Sequence, residues 1–441
     1  MAQSVEPPRP AGRLLLATTV GNLVEWFDYL AYAYVASVLA TLFFPSADPN
    51  AALLATFAVY GVSYVVRPLA SPFWGTLGDR LGRRNVLTIV IVLMGAATFA
   101  VGLLPTYSQV GLLAPALLIV CRVLQGFAAT GEWVGSLSFL LESTSGRRRG
   151  LLCGVNTAAT VLPGAVVALF LLALRLTLSP EAYLAWGWRT PFLIGGVLAL
   201  VGFYIRNRFD ESPAFREIAR ANAVEKAPVR RALREFPRQI ISVFAVGALM
   251  SLSTYTILTY IPTFLSETVG FSPNSALLSS SVATIVLSVL IPLFGRVSDR
   301  WGRRPVLMIG AAALAVLSVP AFLLLSSGSM LGAGAGLGLL LLGTAITLGG
   351  GGAVMVEAFP TRVRYTGSAL SQTASYTLFG GTAAFVSQAL ASGTGHPVAP
   401  AVYITVVAVA VLLTVAFVVP ETSRLPLHGA EADVRSPAGV D

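Results

Sequence analysis

Charged residues are scarce in this sequence. Only 11% of its 441 residues are charged and 55% are hydrophobic, whereas soluble domains carry about 25% charged residues. Much of the folded surface is therefore expected to face lipid. There are only two cysteines and two histidines, Cys121, Cys153, His396 and His428. Both cysteines fall in apolar runs and there is no Cys/His cluster, so we predict neither a disulfide nor a metal site, and no cofactor.

Motifs for nucleotide chemistry are also missing. No P-loop, Gly-rich dinucleotide fingerprint or nucleophile elbow occurs in a polar segment. ATP-driven transport would need a separate subunit, and no group of residues supports an enzyme.

Long apolar runs are abundant. A hydrocarbon core about 30 Å thick takes roughly 20 apolar residues in a helix to cross. Twelve runs qualify: 14–43, 51–75, 85–104, 111–141, 150–174, 190–206, 239–265, 276–295, 305–326, 331–357, 368–391 and 399–420. The first run is too long for a signal peptide and contains Glu25 and Asp28. Small residues in Gly332–Gly352 favour close helix packing over a channel filter.

These runs predict an all-α integral membrane protein with twelve transmembrane helices in two pseudo-symmetric six-helix bundles. The expected parts are a disordered tail (1–13), an N-terminal bundle (14–206), an interdomain loop (207–238), a C-terminal bundle (239–420) and a second tail (421–441).

The net charge of +9 is distributed unevenly. If the N-terminus lies in the cytoplasm, 25 of the 29 Lys and Arg residues fall on the cytoplasmic side. The exceptions are Arg67 and Arg122, within helices, and Arg175 and Arg189, outside. This positive-inside pattern predicts a multi-pass protein of a bacterial-type plasma (inner) membrane with both termini in the cytoplasm. The basic charge then reports topology, and we expect no nucleic-acid partner.

One loop motif occurs twice, about half of the chain apart. Gly75–Arg84 (GTLGDRLGRR) joins the second and third runs, and Gly295–Arg304 (GRVSDRWGRR) joins the eighth and ninth. A second pair agrees, since Glu142 and Glu357 each precede an arginine cluster. The two halves are therefore predicted to be structural repeats.

The charges of the motif suggest a gate between the halves. Asp79 and Asp299 can each cap a helix N-terminus or pair with an arginine across the bundle interface. The predicted gating set also contains Arg67, Arg80, Arg83, Arg84, Arg300, Arg303, Arg304, Glu142 and Glu357. The alternative is that these charges only fix the topology.

With this loop the sequence resembles the major facilitator superfamily, and within it the metabolite:proton symporter branch. The branch resemblance rests on Gly21-Asn22-x-x-Glu25-Trp26-Phe27-Asp28-Tyr29, Arg67-Pro68-Leu69, Arg122-x-x-Gln125-Gly126 and Tyr260-Ile261-Pro262-Thr263-Phe264-Leu265. It implies alternating-access transport of organic acids or zwitterions. Thr76-Leu77-Gly78 departs from the branch, which usually has a histidine there, and Gln372-Thr373 replaces its usual Tyr-Asn. The substrate's identity therefore does not carry over.

Five charged residues are predicted to lie deep in the membrane: Glu25, Asp28, Arg67, Arg122 and Glu132. Each costs roughly 2.5–3.5 kcal/mol on insertion scales, so such residues are functional by default. All five fall in the first, second and fourth helices. The second half instead offers polar and aromatic candidates, namely Tyr255, Tyr260, Gln372, Tyr376 and Gln388.

Proton coupling is assigned to the acidic members of this set. Glu25 and Asp28 are three residues apart and share one helix face, where mutual repulsion and burial favour protonation. Either could carry the proton, and Asp28 is favoured. Glu132 is a second proton site or the inner partner of the network. In the alternative, Glu25 stays permanently paired with an arginine.

Arg122 and Gln125 lie on one polar stripe of the fourth helix. Arg122 either holds the helices together through Glu25 or Asp28, or exchanges that carboxylate for the substrate's. The full predicted substrate set is Arg122, Gln125, Tyr32, Tyr255, Tyr260, Gln372 and Tyr376. Arg67 is interpreted as a structural or gating pair, and Trp26 and Trp133 as packing aromatics.

The sequence thus predicts proton-coupled symport of a small organic anion or zwitterion. The partners are that substrate, protons and the lipid bilayer, and the protein is expected to work as a monomer. One alternative is an efflux antiporter of drugs or metabolites, although two deep arginines oppose cationic cargo. Another is a non-transporting receptor or sensor, although only about twenty residues follow Pro420.

Overall fold

A computed structural model describes residues 25–81, 83–129, 137–138, 140–141, 148–207, 228–360, 363–423 and 425. Within these residues the chain forms helices in all twelve predicted runs. In chain order they are α1 (Glu25–Tyr34 and Ala36–Phe43), α2 (Pro49–Leu81), α3 (Arg83–Leu103), α4 (Leu113–Ala128), α5 (Arg149–Thr177), α6 (Thr190–Asn207), α7 (Pro237–Thr268), α8 (Pro273–Trp301), α9 (Arg303–Leu325), α10 (Met330–Glu357), α11 (Arg364–Ser375, Tyr376–Gly380 and Ala383–Thr394) and α12 (Ala399–Phe417).

Most of these helices are long and apolar enough to span a membrane. By length and composition, seven of the described helices could each cross a membrane. The number is eight if the two parts of α1, which are bent by 66° relative to each other, form one span. Shorter apolar helices account for α3, α4 and α6. The predicted all-helical membrane fold is confirmed. Boundaries differ locally: α2 continues through 75–81, where a loop had been predicted.

The second half contains wide helical turns close to its polar residues. In α7, π-helical turns at Thr256–Tyr260 and Phe264–Thr268 flank Pro262, which has no N–H to donate. In α11, Tyr376–Gly380 is a third such turn. Inserted π-turns of this kind are frequent at functional sites.

Glycines in α10 allow neighbouring helices to pack closely. A Cβ atom added to Gly343 would lie 2.8 Å from Leu314 of α9, and one added to Gly349 would lie 2.7 Å from Phe294 of α8. Both distances are shorter than a van der Waals contact, so only glycine fits. The predicted packing role of this glycine-rich segment is confirmed.

The two halves meet through symmetry-related helix pairs. Helix α2 packs on α11, and α5 packs on α8. Half-to-half repetition relates α2 to α8 and α5 to α11, so the two contacts are equivalent under that repeat. At both, backbones approach closely: a Cβ on Gly61 would lie 3.1 Å from the Gly381 carbonyl oxygen, and one on Gly154 would lie 2.9 Å from the Pro292 Cα.

Candidate functional site: a central charged and aromatic cluster

Asp28 lies at the centre of a buried polar network. Its Oδ2 is 3.1 Å from the Nη1 of Arg122, and its Oδ1 accepts a hydrogen bond of 2.9 Å from the Gln125 amide. The same amide donates to the Thr98 hydroxyl at 3.0 Å. All four side chains are buried. Helices α1 and α4 are therefore joined through a carboxylate and a guanidinium, and the Gln125 amide connects them to α3.

Arg122 uses only part of its hydrogen-bonding capacity. Its side chain is fully buried, and its Nε and Nη2 have no hydrogen-bond partner among the described residues. These two nitrogens form the side-on edge of the guanidinium, which matches the two oxygens of a carboxylate. The guanidinium carbon lies 3.9 Å from the ring centroid of Tyr32, so the ring supports one face of the group while that edge remains unpaired.

A second ion pair lies one helical turn along α1. The Nη2 of Arg67 is 2.7 Å from the Glu25 Oε1, and the two side chains are 15% and 12% exposed. The Arg67 guanidinium carbon also lies 4.3 Å from the Tyr64 ring centroid and 5.0 Å from that of Tyr29. The two described deep acids, Glu25 and Asp28, thus pair with different arginines. Glu25 and Asp28 share a helix face but not a partner.

Aromatic rings from both halves surround these ion pairs. We call six of them the tyrosine cluster: Tyr29, Tyr32, Tyr60, Tyr64, Tyr255 and Tyr376. The Tyr64 hydroxyl donates to the Tyr255 hydroxyl at 2.8 Å, which links α2 to α7. Trp26 packs against Tyr255 with ring centroids 5.5 Å apart. The cluster spans the boundary between the halves.

The arginine-rich end of the molecule contains a second polar network. Asp299, in α8, accepts hydrogen bonds from the backbone N–H groups of Gly150 (2.7 Å) and Leu151 (2.9 Å), at the start of α5. A carboxylate at this position is also favoured by the α5 macrodipole. Arg303 donates to the same carboxylate at 2.8 Å. Asp299 therefore makes the first of the two predicted contacts, with a helix N-terminus of the other half, whereas its arginine partner belongs to its own motif and does not lie across the bundle interface.

Arg303 connects this contact to α10 and to the chain after α12. Its Nε and Nη2 lie 3.2 and 3.3 Å from the two oxygens of Glu357, in a bidentate pair. Glu357 also accepts from the Thr422 hydroxyl at 2.8 Å, and Arg149 of α5 donates to the Leu425 carbonyl at 2.8 Å. Arg149 also lies 3.7 Å from Glu357, so ionic contacts and backbone hydrogen bonds together tie the two halves at this end.

Glu421 caps α9 at the same end. Its carboxylate accepts from the backbone N–H groups of Arg303 (2.9 Å), Arg304 (3.1 Å) and Ser423 (2.9 Å). Partial burial opposes ionisation of this carboxyl, but the hydrogen bonds from Arg303 and its neighbours prevail and lower the pKa of Glu421. The ionised cap therefore stabilises the fold.

We expect Glu421→Gln to destabilise the protein by roughly 1 kcal/mol, the usual scale for a helix cap. Because the pKa is lowered on folding, the wild-type advantage holds above the ordinary glutamate pKa and disappears as pH falls through the lower folded value. Melting temperatures from about pH 7 to about pH 2, which extends below the ordinary glutamate pKa, measure this difference. Glu267→Gln, at an exposed position of the opposite end, is the control. An equal deficit at every pH contradicts a charge-dependent cap.

At the opposite end of the molecule a side-chain hydrogen bond joins α2 and α11. The Gln388 amide donates to the Asn50 side-chain oxygen at 3.0 Å. Both residues line a cavity of about 510 Å³ that also includes Glu267. Among the described residues, no group of three or more His, Cys, Asp and Glu could hold a metal ion.

Comparisons with known proteins agree with this architecture. A family model described as the Major Facilitator Superfamily matches residues 21–384 and 243–438. The proline/betaine transporter of Escherichia coli strain K12 is 34% identical over 436 residues, covering 95% of this chain and 85% of that protein. The chain belongs to the major facilitator superfamily. The glycine betaine/proline/ectoine/pipecolic acid transporter OusA of Dickeya dadantii strain 3937 is 36% identical over 444 residues, covering 95% and 86%.

Solved structures of the superfamily share this fold. The crystal structure of a D-xylose-proton symporter aligns with a TM-score of 0.73 and 19% identity, covering 92% of this chain and 98% of the other. A partially occluded, inward-open structure of the xylose transporter XylE from E. coli gives 0.74 and 18%, covering 95% and 99%. At this identity the likeness concerns the fold alone. The protein is a multi-pass secondary transporter of the major facilitator superfamily and not an enzyme.

Within this major facilitator fold, most predicted site residues that the structure describes lie together. Asp28, Arg122 and Gln125 are in direct contact. Tyr32, Tyr255 and Tyr376 belong to the tyrosine cluster. Tyr260 is buried against Phe264, and Gln372 is buried in α11, one turn before Tyr376. Neither forms a hydrogen bond with the Asp28 network among the described residues. The substrate role of the whole set stays a prediction.

Some predicted residues lie outside the described part of the chain. Glu132, Trp133 and Glu142 are among them, as are the side chains of Asp79, Arg80, Arg83 and Arg84. Arg300 and Arg304 are at the arginine-rich end, where Arg304 donates to the carbonyls of Val415 and Ala416 in α12.

Several contacting residues were missed from the sequence. Tyr60 and Tyr64 stand seven and three residues before the predicted Arg67 on α2, and Tyr29 adjoins Asp28 on α1. This helical periodicity would have identified them as one face. Glu421 carried no comparable signal, because its partners are backbone groups far away in sequence.

Proposed function

We propose that the chain is a proton-coupled symporter for small zwitterions and organic carboxylates. The observation that carries this proposal is Arg122, a buried guanidinium that pairs with Asp28 through one nitrogen while its Nε–Nη2 edge has no described partner. An arginine stays charged at any physiological pH, so Asp28 is the member of the pair that can titrate. Protonation of Asp28 removes the countercharge of Arg122 and makes a substrate carboxylate its replacement.

Transport then follows a simple exchange of charges. A proton neutralises Asp28, and the Gln125 amide and Thr98 hydroxyl hold the neutral carboxyl in place. The substrate carboxylate binds the Nε–Nη2 edge of Arg122. Because this edge is buried, the substrate reaches it only when the two bundles separate on one side. Proton and carboxylate therefore load together and leave together, which couples the two fluxes.

The tyrosine cluster supports a zwitterion as the preferred substrate. Aromatic faces attract ammonium groups, including quaternary ones, and the cluster lies beside the carboxylate-binding edge of Arg122. The relatives are named for glycine betaine, proline, ectoine and pipecolic acid. These compounds combine a carboxylate with a positively charged nitrogen, which fits an arginine next to aromatic rings.

The ionic contacts at the arginine-rich end support its assignment as the cytoplasmic gate. Asp299, Arg303 and Glu357 bridge α5, α8 and α10, and Asn50–Gln388 bridges the opposite end. Alternate opening of these contacts lets the N-terminal bundle (14–206) rock against the C-terminal bundle (239–420). Both termini then lie in the cytoplasm, and a single chain contains the complete site.

Reconstituted vesicles test the proposal. With a radiolabelled betaine outside, an inward proton gradient should drive accumulation, and an uncoupler should reduce the internal concentration to the external one. The control is the same vesicles at equal pH on both sides. Accumulation that persists after uncoupling contradicts proton symport, and uptake driven only by an outward proton gradient indicates an antiporter instead.

A further inference from the structure

Arg67 occupies the surroundings that a cationic ligand would need. Its guanidinium lies over the faces of Tyr64 (4.3 Å) and Tyr29 (5.0 Å) and pairs with Glu25 at 2.7 Å. Electron-rich rings beside a carboxylate are the groups that bind ammonium ligands. In this structure the protein fills that position with its own cation.

The positions of the two arginines correspond to the two charges of a small zwitterion. Arg122 and Arg67 both lie against the Tyr29 ring, with guanidinium carbons 5.9 and 5.0 Å from its centroid. A carboxylate site at Arg122 and an ammonium site at Arg67 would therefore adjoin the same ring. The side chain of Arg67 is 15% exposed and that of Arg122 is fully buried, so Arg67 is the one that can withdraw toward water.

We propose that Arg67 is a resident cation which the ammonium group of the substrate displaces from Tyr29, Tyr64 and Glu25. This inference rests on the proposed function, because it assumes a zwitterion bound at Arg122. The exchange keeps one positive charge beside Glu25 throughout, so the carboxylate is never left unpaired in a partly buried site. A ligand with only a carboxylate leaves Arg67 in place.

Displacement of Arg67 would also affect contacts at the boundary between the two bundles. Tyr64, whose ring lies beneath Arg67, donates its hydroxyl to Tyr255 of the other bundle. The Tyr64 backbone carbonyl accepts from Thr377 of α11 at 3.0 Å. The residue that senses the cation is thus also one that joins the halves. Arg67 thereby acts as a positioning and specificity residue.

Binding of two matched ligands to the purified full chain tests this inference. Glycine betaine carries a quaternary nitrogen, and 3,3-dimethylbutanoate is the isosteric anion in which a neutral carbon replaces that nitrogen. In Arg67→Met the competing cation is gone, so the Kd of glycine betaine should fall roughly three- to tenfold. The Kd of the isostere should stay unchanged. Arg175→Met is the control, since Arg175 lies over Tyr183 at 4.5 Å, away from the site.

A second variant keeps the test valid if Arg67→Met does not fold. Arg67→Met combined with Glu25→Gln removes both charges together, and it should still favour glycine betaine over the isostere more strongly than the wild type does. Equal or weaker betaine binding in both variants, with normal binding by the wild type, overturns the displacement while leaving the proposed function intact. If the wild type binds neither ligand, the proposed substrate class is wrong and the displacement fails with it.

Discussion

Asp28→Asn is expected to abolish proton-driven accumulation while leaving substrate exchange measurable. Asparagine cannot titrate, so the coupling between proton and substrate is lost and the internal-to-external ratio of a zwitterion should fall to about one. The change also removes the countercharge of the fully buried Arg122. Uncompensated buried charges cost roughly 3–5 kcal/mol. Saturating substrate should restore part of this stability, because its carboxylate replaces the missing one.

Two assays in the same vesicles separate these effects. Accumulation under a proton gradient measures coupling, and counterflow of labelled against unlabelled substrate measures binding and movement without it. Glu25→Gln is the matched comparison, because Glu25 pairs with Arg67 and not with Arg122. If both variants keep pH-dependent accumulation, the proton is carried elsewhere, and Glu132 becomes the first residue to test.

Arg122→Lys should weaken substrate affinity by more than roughly tenfold. Lysine keeps the positive charge but lacks the two parallel N–H groups of the Nε–Nη2 edge, and its ammonium cannot stack on Tyr32 as the guanidinium does at 3.9 Å. The loss should appear in Kd for zwitterions and simple carboxylates alike, since both present the same carboxylate.

Equilibrium binding to purified protein measures this loss, with melting temperature as a check on folding. Arg175→Lys is a suitable control, because it makes the same substitution in an arginine–tyrosine contact outside the site. An unchanged Kd in a folded Arg122→Lys protein assigns Arg122 to holding α1 and α4 together and removes it from substrate binding.

Local sequence patterns predicted the fold and part of the central site. Apolar run length located the twelve helices, and the repeated loop motif indicated that the halves are related. The cost of burying charge singled out Asp28 and Arg122, and helical spacing placed Gln125 beside them. The fold and the proximity of Asp28, Arg122 and Gln125 could be predicted because they depend on patterns within the sequence and on rules that apply to every membrane protein.

Contacts between distant helices could not be read in the same way. Tyr64 and Tyr255 are 191 residues apart, and nothing in either segment identifies the other as its partner. Whether a deep acid forms an ion pair with Arg67 or with Arg122 depends on the rotation of α1, α2 and α4 about their axes. A single sequence predicts which residues share a helix face, but it does not predict which faces of the two halves pack against each other.

The contact of Asp299 with α5 has an evolutionary consequence. The groups that it binds in the other half are the main-chain amides of Gly150 and Leu151, which every amino acid except proline provides. Random mutation therefore rarely removes the donors themselves. A Cβ atom on Gly150 would, however, overlap the Gly295 carbonyl oxygen, so the genetic constraint falls on the carboxylate and on the size of residue 150. Descendants of this gene could vary the side chain of Leu151 while the two halves continue to recognise each other at this point.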